Sequence, residues 1–237
     1  MTVLVLFDID GTILLANGAG RRSVYQAMMD VFGATGPHSH PFDGKTDPQI
    51  VRELGTMAGI ADDVIHANMD VALERYFTYL EADITGDPGT VELLPGIHAL
   101  LDALDARDDV MLGLLTGNIE AGAALKLRTV DIEPERFVVG AYGSDAASRP
   151  ALPAIAQQRA TALLGDALPG SRIVIIGDTP HDLTCGRAIG ARAIGVETGR
   201  FRAADLHPYE PLAVFADLTD TERVVQTITS VLAEPVG

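Results

Sequence analysis

Three short apolar runs, each ending in small polar residues, constrain the fold of this 237-residue chain more than any other feature. They lie at 3–7, 110–115 and 173–176, and each has the length of one buried strand. Weaker strand patterns occur at 137–139, 193–196 and 213–215, while 97–104 and 224–232 repeat apolar residues at helical spacing. Buried strands that alternate with helices predict an α/β fold, with a parallel sheet covered by helices on both faces.

The stretch from about residue 15 to residue 93 interrupts this alternation. It contains no strand-like run, and its apolar residues recur at helical spacing over 24–32, 50–57 and 65–80. Gly-containing segments at 16–18 and 85–89 mark its borders. We therefore expect an all-helical cap at 15–93, inserted into an α/β core that is formed by 1–14 and 94–237.

Charge and composition exclude several classes of function. The chain carries 17 basic and 33 acidic residues, a net charge of −16, which argues against binding to nucleic acid or to an anionic membrane. No run approaches the roughly 20 apolar residues of a membrane span, and the N-terminus lacks the basic start of a signal peptide. The single cysteine, Cys185, forms no intrachain disulfide and is expected in the core. We expect a cytoplasmic protein.

Chemistry-bearing residues follow the three strongest strand patterns. The clusters are Asp8-Ile9-Asp10-Gly11-Thr12, Thr116-Gly117-Asn118 and Gly177-Asp178-Thr179-Pro180-His181-Asp182. Ligands of open α/β sheets bind at the carboxyl ends of the strands, so we expect one shared site. A strand-end aspartate such as Asp8 can attack phosphorus, but the repulsion between carboxylate and phosphate requires a divalent cation. Asp8 and Asp178 offer the hard oxygen ligands that suit Mg²⁺; the alternative is that Asp8 and Asp10 only begin a turn.

The order, spacing and positions of these clusters resemble the haloacid dehalogenase superfamily, in its phosphoglycolate phosphatase and β-phosphoglucomutase branch. The resemblance covers the whole chain, because the helical stretch lies where this family carries its cap, and it implies a Rossmann-like core. It implies that Asp8 forms an aspartyl phosphate and that the main-chain carbonyl of Asp10 joins Asp8 and Asp178 as a metal ligand. We expect the Asp10 side chain to serve as general acid and base. Family members that dehalogenate lack an acid at this position, which favours a phosphatase.

The phosphate-binding residues leave alternatives open. Thr116, Gly117 and Asn118 precede a helix N-terminus that favours anions, although Asn118 is also a preferred N-cap residue. The family places a basic residue, usually lysine, before the last cluster. Arg149, followed by Pro150, is the nearest match. Lys126 is a second candidate for this basic phosphate ligand. The alternative interpretation of Lys126 is a solvated lysine on the surface.

Two further residues have a structural and a functional interpretation. Asp182 falls at the third position of a helix, where it can close a capping box with Thr179, and by resemblance it orients groups near the metal. Lys45 lies in a polar loop before a helix of the cap, and family caps use such a loop to read the substrate. Arg21 and Arg22 on the first cap helix could contact the substrate in the same way. The alternative for all three residues is a solvated surface position, which is favoured for the two arginines.

We therefore expect an Mg²⁺-dependent phosphatase that hydrolyses a small phosphorylated metabolite, such as phosphoglycolate or a sugar phosphate. The alternatives are a sugar-phosphate mutase of the same family and a non-enzymatic phosphoacceptor or binding module. The helical stretch and Asp10 argue against a receiver-type phosphoacceptor. The expected partner is a small phosphate ester, with no nucleic acid and no membrane, and the protein is expected to be a monomer or a homodimer.

Overall fold

A computed structural model describes residues 2–233, without the side chain of residue 88. Its strands are β1 (Val3–Phe7), β2 (Leu14–Leu15), β3 (Glu92–Leu93), β4 (Val110–Leu115), β5 (Val139–Ala141), β6 (Ile173–Gly177), β7 (Arg192–Val196) and β8 (Ala213–Phe215). Its α-helices are α1 (Ala19–Phe32), α2 (Asp47–Met57), α3 (Asp62–Ala67), α4 (Met69–Gly86), α5 (Ile97–Asp105), α6 (Glu120–Thr129), α7 (Leu152–Leu164), α8 (Pro180–Cys185), α9 (Ala203–Leu206) and α10 (Thr221–Ser230).

Six strands form one parallel sheet in the order β5-β4-β1-β6-β7-β8. The three strongest apolar runs thus become the three central strands, since β4 and β6 both pair with β1. The weak pattern at 137–139 is displaced: β5 begins at Val139, because a short 3₁₀ turn at Pro134–Arg136 occupies the chain just before it. The α/β fold with a parallel sheet is confirmed.

Helices cover both faces of the sheet. Alternate residues of β1 point to opposite faces, so Val3, Val5 and Phe7 join one buried cluster with α5 and α10. Leu4 and Leu6 join the other cluster, with α7 and the end of α8. Cys185 lies in this second cluster, which confirms the expected core position. Burial on both faces explains why β1 is apolar at every position.

The stretch between β2 and β3 is helical, but its details differ from the pattern in two ways. The apolar pattern at 65–80 spans two helices, because Asn68 leaves the helical conformation and its side chain donates to the carbonyl oxygen of Val64. At its borders β2 and β3 pair antiparallel, Leu14 with Leu93 and Leu15 with Glu92. The expectation of no strand after residue 15 is therefore wrong at the two ends, since a two-residue strand has no detectable periodicity. The domain boundaries at 14 and 94 stay a prediction.

Among the described residues 2–233, no helix combines the length and the apolar character that a membrane crossing requires.

Candidate active site

The sheet brings the three polar clusters to one edge. Asp8 follows β1, Thr116 follows β4 and Asp178 follows β6, and these strands are direct neighbours. A cavity of about 220 Å³ opens between this edge and the helices of the cap. Its lining combines core and cap residues: Asp8, Asp10, Thr116, Gly117, Asn118, Lys126, Arg149, Asp178, Arg21, Phe42, Lys45, Asp47 and Tyr76.

A cluster of three buried carboxylates lies at the cavity, and two of them, Asp8 and Asp178, line it. One oxygen from each of Asp8, Asp178 and Asp182 lies within 4.8 Å of the others. Burial raises the pKa of Asp8 to about 7, and the nearby Arg149 opposes that rise. Burial, followed by repulsion from Asp182 and Asp8, raises the pKa of Asp178 to about 9. Gly11 has φ +86° and lies so close that an added Cβ would stand 2.6 Å from the Asp178 carboxyl group.

The donor set of this cluster fits a divalent cation. Asp178 Oδ1 is buried and has no hydrogen-bond partner among residues 2–233. Both oxygens of Asp182 are already used: Oδ2 accepts from the Thr179 N–H at 3.0 Å and hydroxyl at 2.7 Å, and Oδ1 pairs with Arg149. Asp8 and Asp178 therefore supply the available carboxylate oxygens, and hard oxygen ligands suit Mg²⁺.

Arg149 connects the cluster to the nucleophile candidate. Its side chain is 3% exposed, and Nη2 lies 3.1 Å from Asp8 Oδ1 while also pairing with Asp182. Burial alone lowers the pKa of Arg149, but Asp182 and Asp8 outweigh it and the pKa is raised. The capping box of Thr179 and Asp182 is confirmed, and the same aspartate holds Arg149, so the two interpretations of Asp182 are compatible.

Asp10 lies in a separate hydrogen-bonded group with Lys126 and Asn118. Lys126 Nζ donates to Asp10 Oδ1 at 2.8 Å, to Asp10 Oδ2 at 2.7 Å and to Asn118 Oδ1 at 2.7 Å. Asn118 Nδ2 donates to Asp10 Oδ2 at 2.7 Å and to Thr116 Oγ1 at 2.8 Å. Lys126 is 3% exposed, so the surface interpretation is wrong.

The N-cap interpretation of Asn118 is also wrong. Helix α6 begins one residue later than that interpretation requires, with Ile119 at the N-cap, and no side chain caps it. The Asn118 amide is instead used by Asp10, Lys126 and Thr116. Asn118 lines the cavity, and its role as a phosphate ligand stays a prediction.

The cap contributes two cations to the cavity. Lys45 Nζ lies 2.5 Å from Glu53 Oε2 and 3.1 Å from His40 Nε2, so its charge is already partly compensated. The Arg21 guanidinium lies 4.0 Å over the Phe42 ring and lines the cavity, which corrects the expectation that it is solvated. Arg22 is exposed, as expected, and pairs with Asp83.

Two residues of the site, Asp47 and Tyr76, carry no signal in the sequence. Asp47 is buried at the first position of α2, with its side chain directed into the core, although Thr46 and Pro48 predict only a helix start. Burial raises the pKa of Asp47 to about 6. Tyr76 belongs to an apolar stripe of α4, but burial and the neighbouring Asp47 raise the pKa of its hydroxyl well above its usual value.

Comparisons with known proteins agree with this fold. A HAD-hydrolase-like family model matches residues 148–221. A hydrolase from Pseudomonas syringae superposes with a TM-score of 0.69 at 20% identity, covering 95% of this chain and 98% of the other. A predicted phosphoglycolate phosphatase from Haemophilus somnus 129PT gives 0.66 at 18% identity, with coverages of 95% and 98%. A search of curated protein sequences finds no match.

The similarity extends to the β-phosphoglucomutases, the second kind of protein in the branch that the motifs resemble. A putative β-phosphoglucomutase from Bacteroides vulgatus superposes with a TM-score of 0.67 at 19% identity, covering 98% of this chain and 91% of the other. The fold and the family match confirm the resemblance to haloacid dehalogenase-like hydrolases.

Proposed function

We propose that this protein is an Mg²⁺-dependent phosphatase that hydrolyses a small phosphate ester through an aspartyl phosphate on Asp8. The observation that carries the proposal is the environment of Asp8. A buried cation, Arg149, lies on one side of Asp8. Asp178, whose Oδ1 has no hydrogen-bond partner among residues 2–233, belongs to the same cluster, and Asp10 also lines the cavity. This arrangement combines a nucleophile, a place for a cation and a proton carrier.

The first step is an attack of an Asp8 carboxylate oxygen on phosphorus, which breaks the bond to the ester oxygen. Arg149 holds Asp8 in position and reduces its negative charge, since its guanidinium contacts Asp8 and Asp182 together. Asp8, Asp178 and, by resemblance, the Asp10 carbonyl would hold an Mg²⁺, which would neutralise part of the charge of the phosphate. Thr116 and Gly117 line the cavity and offer a hydroxyl and an N–H to phosphate oxygens. Asn118 lines the cavity too, but both of its Nδ2 hydrogens are already donated to Asp10 and Thr116, so it would have to exchange one of these bonds to bind phosphate.

Asp10 completes both half-reactions by moving a proton. It donates a proton to the leaving alkoxide and then accepts one from the water that attacks the aspartyl phosphate, releasing inorganic phosphate and restoring Asp8. Lys126 and Asn118 fix the Asp10 carboxyl group through hydrogen bonds of 2.7–2.8 Å. The Asp10 side chain remains 42% exposed, which leaves it accessible to substrate and water.

The substrate is a small molecule, because the cavity of about 220 Å³ is partly covered by the cap. Lys45 lines its cap side and is the proposed contact for the non-phosphate part of the substrate. A cytoplasmic location, a monomeric or dimeric state and the lack of a nucleic-acid or membrane partner remain predictions. A mutase would use Asp8 and Asp10 but return the phosphoryl group to the substrate.

The test is phosphate release from a panel of phosphorylated metabolites and an aryl phosphate, with Mg²⁺ and with a chelator. We expect steady release with Mg²⁺, without a requirement for a bisphosphate, and loss of release on chelation. Asp8→Asn should abolish turnover, because an amide cannot form the acyl phosphate. Asp62→Asn is the matched control, since Asp62 pairs with Arg52 on the exposed surface of the cap. Equal activity of Asp8→Asn and Asp62→Asn would refute the proposal, and a bisphosphate requirement would indicate the mutase.

A further inference from the structure

Asp47 is a cap residue whose side chain and backbone both bind the core. Its N–H donates to the Gly117 carbonyl oxygen at 2.8 Å. Its Oδ2 accepts from the Ile119 N–H, also at 2.8 Å. The residue is buried at the N-terminus of α2, although a first-turn aspartate of a surface helix is ordinarily solvated.

These two hydrogen bonds enclose a single residue, Asn118. They hold the peptide groups on either side of it, one through a carbonyl and the other through an N–H. The fit at this point is tight, because a Cβ added to Gly117 would overlap the Lys45 carbonyl oxygen. The backbone at 117–119 is therefore fixed by the cap and by the core together.

Asn118 in turn holds the proton carrier of the proposed reaction. Its Nδ2 donates to Asp10 Oδ2 and its Oδ1 accepts from Lys126 Nζ, each at 2.7 Å. A displacement of the backbone at 117–119 therefore moves the amide that binds Asp10. Small displacements of a catalytic group are sufficient to slow a reaction by about 10²-fold.

We propose that Asp47 is a positioning residue, which fixes Asn118 and thereby Asp10 only when the cap is docked on the core. The inference rests on the proposed function for its kinetic consequence, but not for the contact itself. Docking of the cap then has two effects: it covers the cavity, and it completes the hydrogen-bonded group that moves the proton.

The neighbouring residue provides a matched control. Thr46 donates its hydroxyl to the Ala147 carbonyl oxygen at 2.6 Å, so it also connects the cap to the core. This contact does not involve residues 117–119. Thr46→Val keeps the size of the side chain and removes this cap–core hydrogen bond, together with the N-cap bond that Thr46 Oγ1 accepts from the Gln49 N–H at 3.2 Å. It therefore disturbs the start of α2 more than Asp47→Ala does, but it removes no hydrogen bond to residues 117–119, so we expect Asn118 to keep its position.

The first measurement is amide exchange of Ile119 by NMR, which does not depend on any activity. A hydrogen bond to a charged group contributes about 1.5–3 kcal/mol, so we expect about 10- to 100-fold faster exchange in Asp47→Ala. Exchange of Ile119 in Thr46→Val should match that of the wild type. Unchanged exchange in Asp47→Ala, or equal acceleration in both variants, would overturn the proposal.

The second measurement is the kinetics of phosphate release by the full-length variants. Asp47→Ala should lower kcat about 10²-fold with a smaller effect on KM, while Thr46→Val stays near the wild-type kcat. Asp47→Asn retains an oxygen that accepts from Ile119 and should stay within about tenfold of the wild type, since a neutral acceptor gives a weaker bond. If Asp47→Asn is as slow as Asp47→Ala, the negative charge acts by another route and the positioning proposal is wrong. A wild-type protein without phosphatase activity would refute the proposed function and leave the exchange result to decide the contact.

Discussion

Asp10→Asn is the substitution that tests the proposed proton transfer most directly. The two side chains have the same shape, and the amide oxygen of the variant still accepts from Lys126, so Asp8, Arg149 and the metal ligands stay in place. The lost ion pair joins an aspartate that is 42% exposed to a lysine that is 3% exposed, and Lys126 keeps Asn118 Oδ1 and the amide oxygen of the variant as acceptors. We therefore expect the free energy of unfolding to fall by about 1–3 kcal/mol, the cost of a buried donor that loses part of its hydrogen bonding. That is less than a typical stability of about 5–15 kcal/mol, and the variant should fold.

The effect on the transition state should exceed the effect on the free energy of unfolding. General acid–base catalysis contributes about 10²–10⁴-fold, which corresponds to about 2.7–5.4 kcal/mol of transition-state stabilisation. An alkyl phosphate should lose this factor in the first step, because its alkoxide needs the proton. An aryl phosphate releases a stable phenolate, so the rate of its first step should change little. Hydrolysis of the aspartyl phosphate still lacks its base with either substrate.

Rapid-mixing kinetics with an aryl phosphate distinguish these two steps. We expect a burst of phenol of about one equivalent per active site, followed by slow turnover. Asp62→Asn, which removes an exposed paired carboxylate of the cap, should show wild-type turnover and controls for the charge change. Unchanged steady-state turnover of Asp10→Asn, with neither burst nor slow phase, would remove Asp10 from the mechanism.

Three further predictions concern stability and reactivity. Arg149→Met leaves Asp8 and Asp182 buried without their shared cation, so the free energy of unfolding should fall by about 3–5 kcal/mol. Urea denaturation measures this loss, and an unchanged midpoint would contradict the prediction. Burial raises the pKa of Asp47 from 3.8 to about 6, so the folded state favours the protonated carboxyl group. The contribution of Asp47 to the free energy of unfolding is therefore most favourable below pH 3.8 and falls as the pH rises to 6. Asp47→Asn should therefore be more stable than the wild type by up to about 3 kcal/mol at pH 8, a difference that disappears near pH 3.5; urea denaturation at both pH values checks this. Burial raises the pKa of Cys185 to about 12, so iodoacetamide at pH 8 should label it only after denaturation, and rapid labelling of the native protein would show an accessible thiol.

The strands and their polar ends were predictable because both are local properties. Residues 3–7 are apolar at every position, as a strand buried on two faces must be, and an aspartate follows directly. Parallel pairing then places Asp8, Thr116 and Asp178 at one edge, whichever helices cover the sheet. The capping box of Thr179 and Asp182 is equally local, since its partners are three residues apart.

The tertiary structure decided which side chains meet across long separations in the chain. Lys126 lies 116 residues from Asp10, and no spacing in the sequence distinguishes a buried lysine with three acceptors from a solvated one. Arg149 reaches Asp8 only because its 3₁₀ turn packs on α8 beneath the sheet edge.

The sequence by itself determined the α/β class, the helical character of the inserted stretch and the acidic residues at the strand ends, because each follows from periodicity or from neighbours in the chain. The contact of Asp47 with Gly117 and Ile119 joins the N-terminus of a cap helix to a core loop 70 to 72 residues away. Such a contact depends on how the helical stretch is oriented on the α/β core, and this orientation results from many buried contacts between residues far apart in the chain. Only the tertiary structure shows this orientation, and therefore which cap residues contact the loop that holds Asp10.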